Sequence, residues 1–135
     1  TQKGSATEGY AQDKYLTATA SKSFAGEASV TLSTAVPAGA KIVGVALRND
    51  TLIVLGGGGV SLAFAYTGGS SQAIESGVAL AKNTKSTKYY DANLDSDIAT
   101  ATTNITVTPD AGTLDTGTVT AVVFYKQLVA LTDAA

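Results

Sequence analysis

The chain has 135 residues and contains no cysteine, no histidine and no tryptophan. Without cysteine it has no disulfide, no thiolate nucleophile and no sulfur-ligated metal site, and without histidine it lacks the usual general base near neutral pH. These two absences exclude catalysis of the Ser-His-Asp and Cys-His types. A carboxylate-based enzyme is the catalytic class that they leave open.

Charge is scarce as well. Charged residues make up 15% of the chain and the net charge is −2, so no basic field is present to attract nucleic acid. Only three Phe and six Tyr are present, and they are scattered, which disfavours a base-stacking surface. The apolar runs are shorter than the roughly 18–20 residues of a membrane span, and no signal-peptide pattern opens the chain. We therefore expect no nucleic acid, membrane or cofactor partner.

The chain does show a two-residue alternation of apolar and small or polar side chains, clearest in VPAGAKIVGVALRN at 36–49. Pro37 and Gly39 predict a turn, and the run from Lys41 to Asn49 predicts a half-buried strand. The side chains predicted to fill the core from this strand are Val43, Val45 and Leu47. The preceding alternation at 28–34 predicts a strand that lies beside it, across a short loop.

Similar alternation recurs at 15–20, 60–66, 104–108 and 118–128, separated by turn residues, and no amphipathic helix of normal length is found. About seven to nine short strands fit an all-β antiparallel sandwich with little helix. Residues 1–14 are polar and aperiodic, so they predict an N-terminal arm, either a frayed terminus or a docking arm. Residues 15–135 are predicted to form a single sandwich domain.

The last long strand, 118–128, alternates at first and becomes apolar on both faces from Val122. A strand covered on two sides is either central in the fold or part of an interface. The predicted contact residues are Val122, Phe124, Tyr125, Leu128, Tyr10 and Tyr15. Packing in the core is the alternative explanation for those on the strand.

The segment DANLDSD has oxygen-bearing side chains at alternate positions, as in the first half of an EF-hand calcium loop. Those residues are Asp91, Asn93, Asp95 and Asp97. However, Ser96 stands where the turn glycine belongs and Thr102 where the bidentate glutamate belongs, and no flanking helices are evident. A solvated polar loop is favoured, and no metal site is predicted.

Three other features have ordinary structural explanations. Gly56–Gly59 lacks the Gly-Lys-Ser/Thr of a phosphate loop, so a bulge, a tight turn or close packing is favoured. Glu75 with an aspartate would make a glycosidase pair, but no particular pair stands out. Lys82, Lys85 and Lys88 indicate a solvated loop, or a surface that meets an acidic partner. No catalytic residue is predicted.

The succession VTLSTAVPAGAKIVGVALR, KNTK, DIATATTNITVTPDAG and TGTVTAVVFYKQL resembles the capsid decoration, or cement, proteins of tailed bacteriophages. The resemblance implies a β-sandwich, often jelly-roll-like, that forms a homotrimer. It also implies a non-enzymatic virion protein that binds the outer surface of the major capsid protein. An alternative is a head-fibre, tail or adhesin module that binds a host glycan through Tyr89 and Tyr90.

Overall fold

The computed structural model describes residues 11–68, 73–89 and 101–130, with the backbone alone described at 11–15, 89 and 128–130. Within these ranges the protein is all-β, and none of them forms a helix that could cross a membrane. The strands are β1 (Ala11–Ser23), β2 (Val30–Val36), β3 (Lys41–Asn49), β4 (Val54–Leu55), β5 (Leu62–Gly68), β6 (Ala73–Val78), β7 (Lys85–Tyr89), β8 (Thr103–Pro109), β9 (Leu114–Thr116) and β10 (Thr118–Ala130).

Eight of these strands form two four-stranded antiparallel sheets. Sheet 1 has the order β1-β10-β3-β7, and sheet 2 has the order β2-β8-β5-β6. The short strands β4 and β9 make a separate two-stranded ribbon. The all-β antiparallel sandwich expected from the sequence is confirmed. Its jelly-roll-like character stays a prediction.

The core lies between the two sheets and is built by the alternation seen in the sequence. Strand β2, for example, buries every second side chain and exposes the ones between. Because successive side chains of a strand point to opposite faces, each strand contributes one apolar face to the interior. The largest fully buried side chains are Phe64, Leu32, Ile42, Ile53, Leu62, Ile105, Leu114, Val36, Val45, Val107, Val119 and Val123.

Strand β3 has the predicted bounds, but a bulge changes which of its side chains face inward. Phe124 and Tyr125 are consecutive on β10, yet they pair with Gly44 and Ile42, so β3 carries one extra residue at Val43. The extra residue shifts the alternation, so Ile42 is buried and Val43 is only partly buried. The prediction that Val43 fills the core was therefore wrong, whereas Val45 and Leu47 do fill it.

The predicted pairing of β2 with β3 was also wrong. Strand β2 pairs with β8 in sheet 2, and β3 pairs with β10 and β7 in sheet 1. The Pro37–Ala40 turn, closed by a 3.2 Å bond from the Ala40 N–H to the Pro37 carbonyl, carries the chain from one sheet to the other. The apolar faces of β2 and β3 both enter the core, but from opposite sheets.

Strand β1 lies at the edge of sheet 1 and pairs with β10 along its whole length, from Ala11 opposite Ala130 to Ser23 opposite Thr118. It begins at Ala11, so residues 11–14, which the sequence assigned to the arm, continue the strand. Residues 1–10 lie outside the described ranges, and the division into arm and domain stays a prediction.

Two phenylalanines, one in the core and one on an outer sheet face, provide a matched test of which side chains fill the core. Phe64 is 2% exposed in the core, and Phe124 is 37% exposed on the outer face of sheet 1. We expect Phe64→Ala to lower the free energy of unfolding by about 3–5 kcal/mol. Phe124→Ala should cost about 1–2 kcal/mol, because much of that ring is already in water. Urea unfolding measures both, and equal losses would contradict the assignment of the two rings.

Candidate functional site

Strand β10 divides its side chains between the core and the outer face of sheet 1. Val123 and Tyr125 point inward, and Tyr125 is only 9% exposed. Val122 and Phe124 point outward; Val122 is partly buried, and Phe124 is one of the few large apolar side chains that are exposed in the described ranges. Of the predicted contact residues, Val122 and Phe124 therefore lie on the outer face of sheet 1, and Tyr125 packs in the core. Their role in an interface stays a prediction.

The other predicted contact residues are placed only by their backbone. Leu128 pairs with Asp13, and Tyr15 pairs with Lys126, near the end of sheet 1 where Ala11 pairs with Ala130. Tyr10 is outside the described residues. Their role in an interface stays a prediction.

Two shallow depressions are lined by residues of sheet 1. One, of about 380 Å³, is lined by Leu16, Thr17, Val43, Phe124 and Tyr125. The other, of about 320 Å³, has Ala46 and Val122 among its lining residues, together with Arg48 and Lys85. Its remaining lining residues are Thr19, Leu47, Thr87 and Thr120. The surface around these two depressions thus consists of short side chains with one exposed aromatic ring and two cations.

Polar contacts fix one corner of this face. The Ser21 and Thr120 hydroxyl oxygens are 2.6 Å apart, and the Thr120 hydroxyl also donates to a carboxylate oxygen of Asp50. The other Asp50 oxygen accepts a 2.7 Å hydrogen bond from Arg48 Nε, which makes an ion pair. The chain of contacts joins β1, β10 and the end of β3, so Arg48 is held from one side in a defined position.

The outer face of sheet 2 is different, because its outward positions on β2, β5 and β8 carry no charged side chain. Those residues are Thr31, Ser33, Ala35, Ala63, Ala65, Thr67, Asn104, Thr106 and Thr108. The two faces of the sandwich therefore present different chemistry, one basic with an aromatic ring and one neutral.

Glu75 joins the edges of the two sheets and does not resemble a catalytic acid. Its carboxylate accepts a 2.8 Å hydrogen bond from the Ser86 hydroxyl and lies 3.1 Å from Lys88 Nζ. The Ser86 hydrogen bond, and then Lys88, lower the pKa of Glu75, whereas a general acid needs a raised pKa. Lys85 and Lys88 lie on β7, so the prediction of a loop there was wrong.

The glycine run forms a tight turn packed against a second loop. The Gly56 N–H donates to the Thr113 carbonyl over 2.9 Å, and a Cβ at Gly112 would collide with the Gly56 carbonyl oxygen. Close packing, as the sequence indicated, explains these glycines.

Two large apolar side chains are exposed at the end of the sandwich next to this turn. Val60 is 70% exposed and Leu52 is 60% exposed. Val60 was predicted to begin a strand, but β5 starts at Leu62.

Asp110 holds the far side of this turn. One of its carboxylate oxygens accepts hydrogen bonds from the N–H groups of Val60, at 2.8 Å, and Ser61, at 3.1 Å. These two bonds, in that order, lower the pKa of Asp110 below its ordinary value of 3.8, because they stabilise the charged form.

Two predicted features lie outside the described residues. The calcium-like segment, Asp91 to Asp97, falls between 90 and 100, and no cluster of three or more metal-binding side chains occurs in the ranges that are described. The glycan hypothesis depended on Tyr89, described only by its backbone, and on Tyr90, which is not described. Both stay predictions.

A pair of glycines in the same region tests the close packing of the two loops. Gly58 and Gly112 both have positive φ, +83° and +73°, but a Cβ at Gly58 would have no atom within 4 Å. We expect Gly58→Ala to cost about 1–2 kcal/mol of stability, from backbone strain alone. Gly112→Ala should cost clearly more, because the collision with Gly56 is added. Similar unfolding free energies for the two variants would contradict the loop contact.

The Asp110 hydrogen bonds predict an acid-sensitive loop. Since the folded pKa lies below the unfolded one, the stabilisation is fully present above the unfolded pKa and is lost as the pH falls through the folded pKa. The Val60 and Ser61 amides should therefore exchange with solvent faster, relative to the core amides, as the pH drops below 3.8. Asp110→Asn is the control, and in that variant the relative exchange should not change over the same pH range. Hydrogen exchange followed by NMR makes the measurement.

Comparison with known proteins finds the fold but no sequence family. No family model and no curated protein sequence matches the chain. Among solved structures, a chain in the capsid asymmetric unit of cyanophage Pam1 is similar, with a TM-score of 0.60 and 17% identity over 85% of this chain and 86% of that one. A chain in the capsid of Ralstonia phage GP4 has a TM-score of 0.57 and 16% identity, with 84% of each chain covered. A chain in the acid-stable capsid of Helicobacter pylori bacteriophage KHP30 has a TM-score of 0.52 and 16% identity, over 91% of this chain and 99% of that one. At these identities the similarity establishes a shared fold.

Proposed function

We propose that this protein is a structural component of a bacteriophage virion, where it decorates and stabilises the capsid by binding the outer surface of the major capsid protein as a homotrimer. The observation that carries the proposal is the fold shared with chains of three phage capsids over most of their length. Fold alone does not determine function, so the chemistry of the surface has to agree with it.

The surface agrees in two respects. The described outer faces of both sheets consist mainly of Thr, Ser, Ala and Val, whose short side chains lose little conformational entropy when a partner covers them. Phe124 stands exposed on one of those faces, as an aromatic anchor of an interface would. The carboxylates whose pKa is lowered among the described residues, Glu27, Glu75 and Asp110, each accept hydrogen bonds from neighbouring protein groups.

The proposal is tested with the purified chain and with capsid particles that lack it. We expect a native mass of three times the 13.5 kDa chain, and saturable binding to expanded capsids at a fixed number of copies per particle. Native mass spectrometry gives the first result, and electron microscopy of the decorated particles gives the second. A protein that stays monomeric and leaves the particles bare would refute the proposal. If the protein bound the particles as a monomer, only the homotrimer part of the proposal would be refuted.

A further inference from the structure

Two cations of the outer face of sheet 1 lie directly opposite each other. Arg48 on β3 and Lys85 on β7 are register partners. Side chains at such positions start about 5 Å apart, and like charges there destabilise a sheet. The Arg48 Nε–H donates a hydrogen bond to Asp50. The two terminal nitrogens of Arg48 and the Lys85 ammonium have no partner among the residues that the structure describes. The pair therefore presents positive charge to the outside at some cost to the isolated fold.

A second like-charge pair lies at the other end of β3. Lys41 and Lys126 are register partners across β3 and β10. The outer face of sheet 1 thus has two cations at each end, although the chain as a whole has a net charge of −2. Asp50 offsets part of this charge. Asp13, described by its backbone alone, pairs with Leu128, beyond the part of β10 that pairs with β3. Positive charge gathered on one face of an acidic protein is the arrangement expected for docking on a negative surface.

An apolar strip separates the two pairs. Val43, Ala46, Val122 and Phe124 lie along it, and the seven residue steps from Lys41 to Arg48 span about 24 Å at the rise of a strand. An apolar centre that contains an aromatic ring, with charge at its margins, is the composition of a protein–protein interface. A nucleic acid partner would require cations that follow a phosphate backbone and several stacking rings. The strip has one described ring, so the face fits a protein.

We propose that the outer face of sheet 1 is the surface that docks on the capsid, against a protein surface with carboxylate side chains around a small apolar area. This inference rests on the proposed function and names the face and the chemistry of the partner. The neutral outer face of sheet 2 remains directed away from that contact. Arg48 and Lys85 set the orientation of the docked protein, and Phe124 provides the apolar contact.

The substitution Lys85→Glu separates stability from binding. It places a carboxylate opposite Arg48, so the isolated protein should keep or raise its melting temperature as repulsion becomes attraction. Against an acidic surface the same change should weaken binding by about tenfold or more. If Lys85 had only a structural role, its substitution would not raise the melting temperature and weaken capsid binding at the same time.

Two control variants accompany it. Lys82→Glu makes the same change of charge in the turn before β7, outside the strands that form the proposed face. Thr31→Glu places a carboxylate on the exposed side of β2, the edge strand of sheet 2. Co-sedimentation with capsids measures the dissociation constants of all four proteins at about 0.1 M and 1 M salt, where the screening length falls from about 10 to 3 Å. Both controls should bind within about twofold of the wild type, and salt should weaken the wild type.

Each other result overturns the inference in a distinguishable way. If Thr31→Glu abolishes binding and Lys85→Glu does not, sheet 2 is the docking face and the decorating function stands. If Lys82→Glu weakens capsid binding as much as Lys85→Glu does, the effect comes from the net charge rather than from this face. If Lys85→Glu instead lowers the native mass, the face joins copies of this chain. If the wild type leaves capsids bare, the proposed function fails and the inference fails with it.

Discussion

The pairing of β10 along both of its edges is the constraint on which the sandwich depends. Strand β1 covers one edge over its full length, and β3 covers the other from Val119 to Lys126. The inward side chains of β10 complete the core, while the outward ones form the middle of the proposed docking face. One strand therefore supports the core and the proposed docking face, and the alternation of its side chains keeps the two on separate positions.

Much of the fold follows from local sequence, and the exceptions have physical causes. The Pro37–Gly39 turn and the alternation after it predict β3 with the bounds observed. Strand β7 could not be predicted in this way, because its inward residues Ser86 and Lys88 are held by Glu75 of the other sheet rather than by apolar burial. The bulge at Val43 depends on the register with β10, which the sequence of β3 does not contain.

The candidate site was predictable to the same extent. Val122 and Phe124 were identified because a strand that is apolar on both faces needs a partner on its second face. Arg48 and Lys85 were missed as a pair, since only the register of β3 with β7 brings them together. The hydrogen bonds from Val60 and Ser61 to Asp110 likewise join loops that are far apart in the chain. Local patterns indicate which way a side chain faces, but they do not indicate its neighbour on the next strand.

The pairing of Ala11 with Ala130 has a consequence for folding. During synthesis β1 and β3 emerge long before β10, so sheet 1 has a gap at its centre until β10 has been made. Each of the two strands that border the gap then has an unpaired edge. Contacts between such distant parts of a chain close slowly, and sheet 1 therefore matures last. While the gap is open, β10 of another copy can enter it, which makes strand exchange at high concentration the characteristic misassembly of this topology.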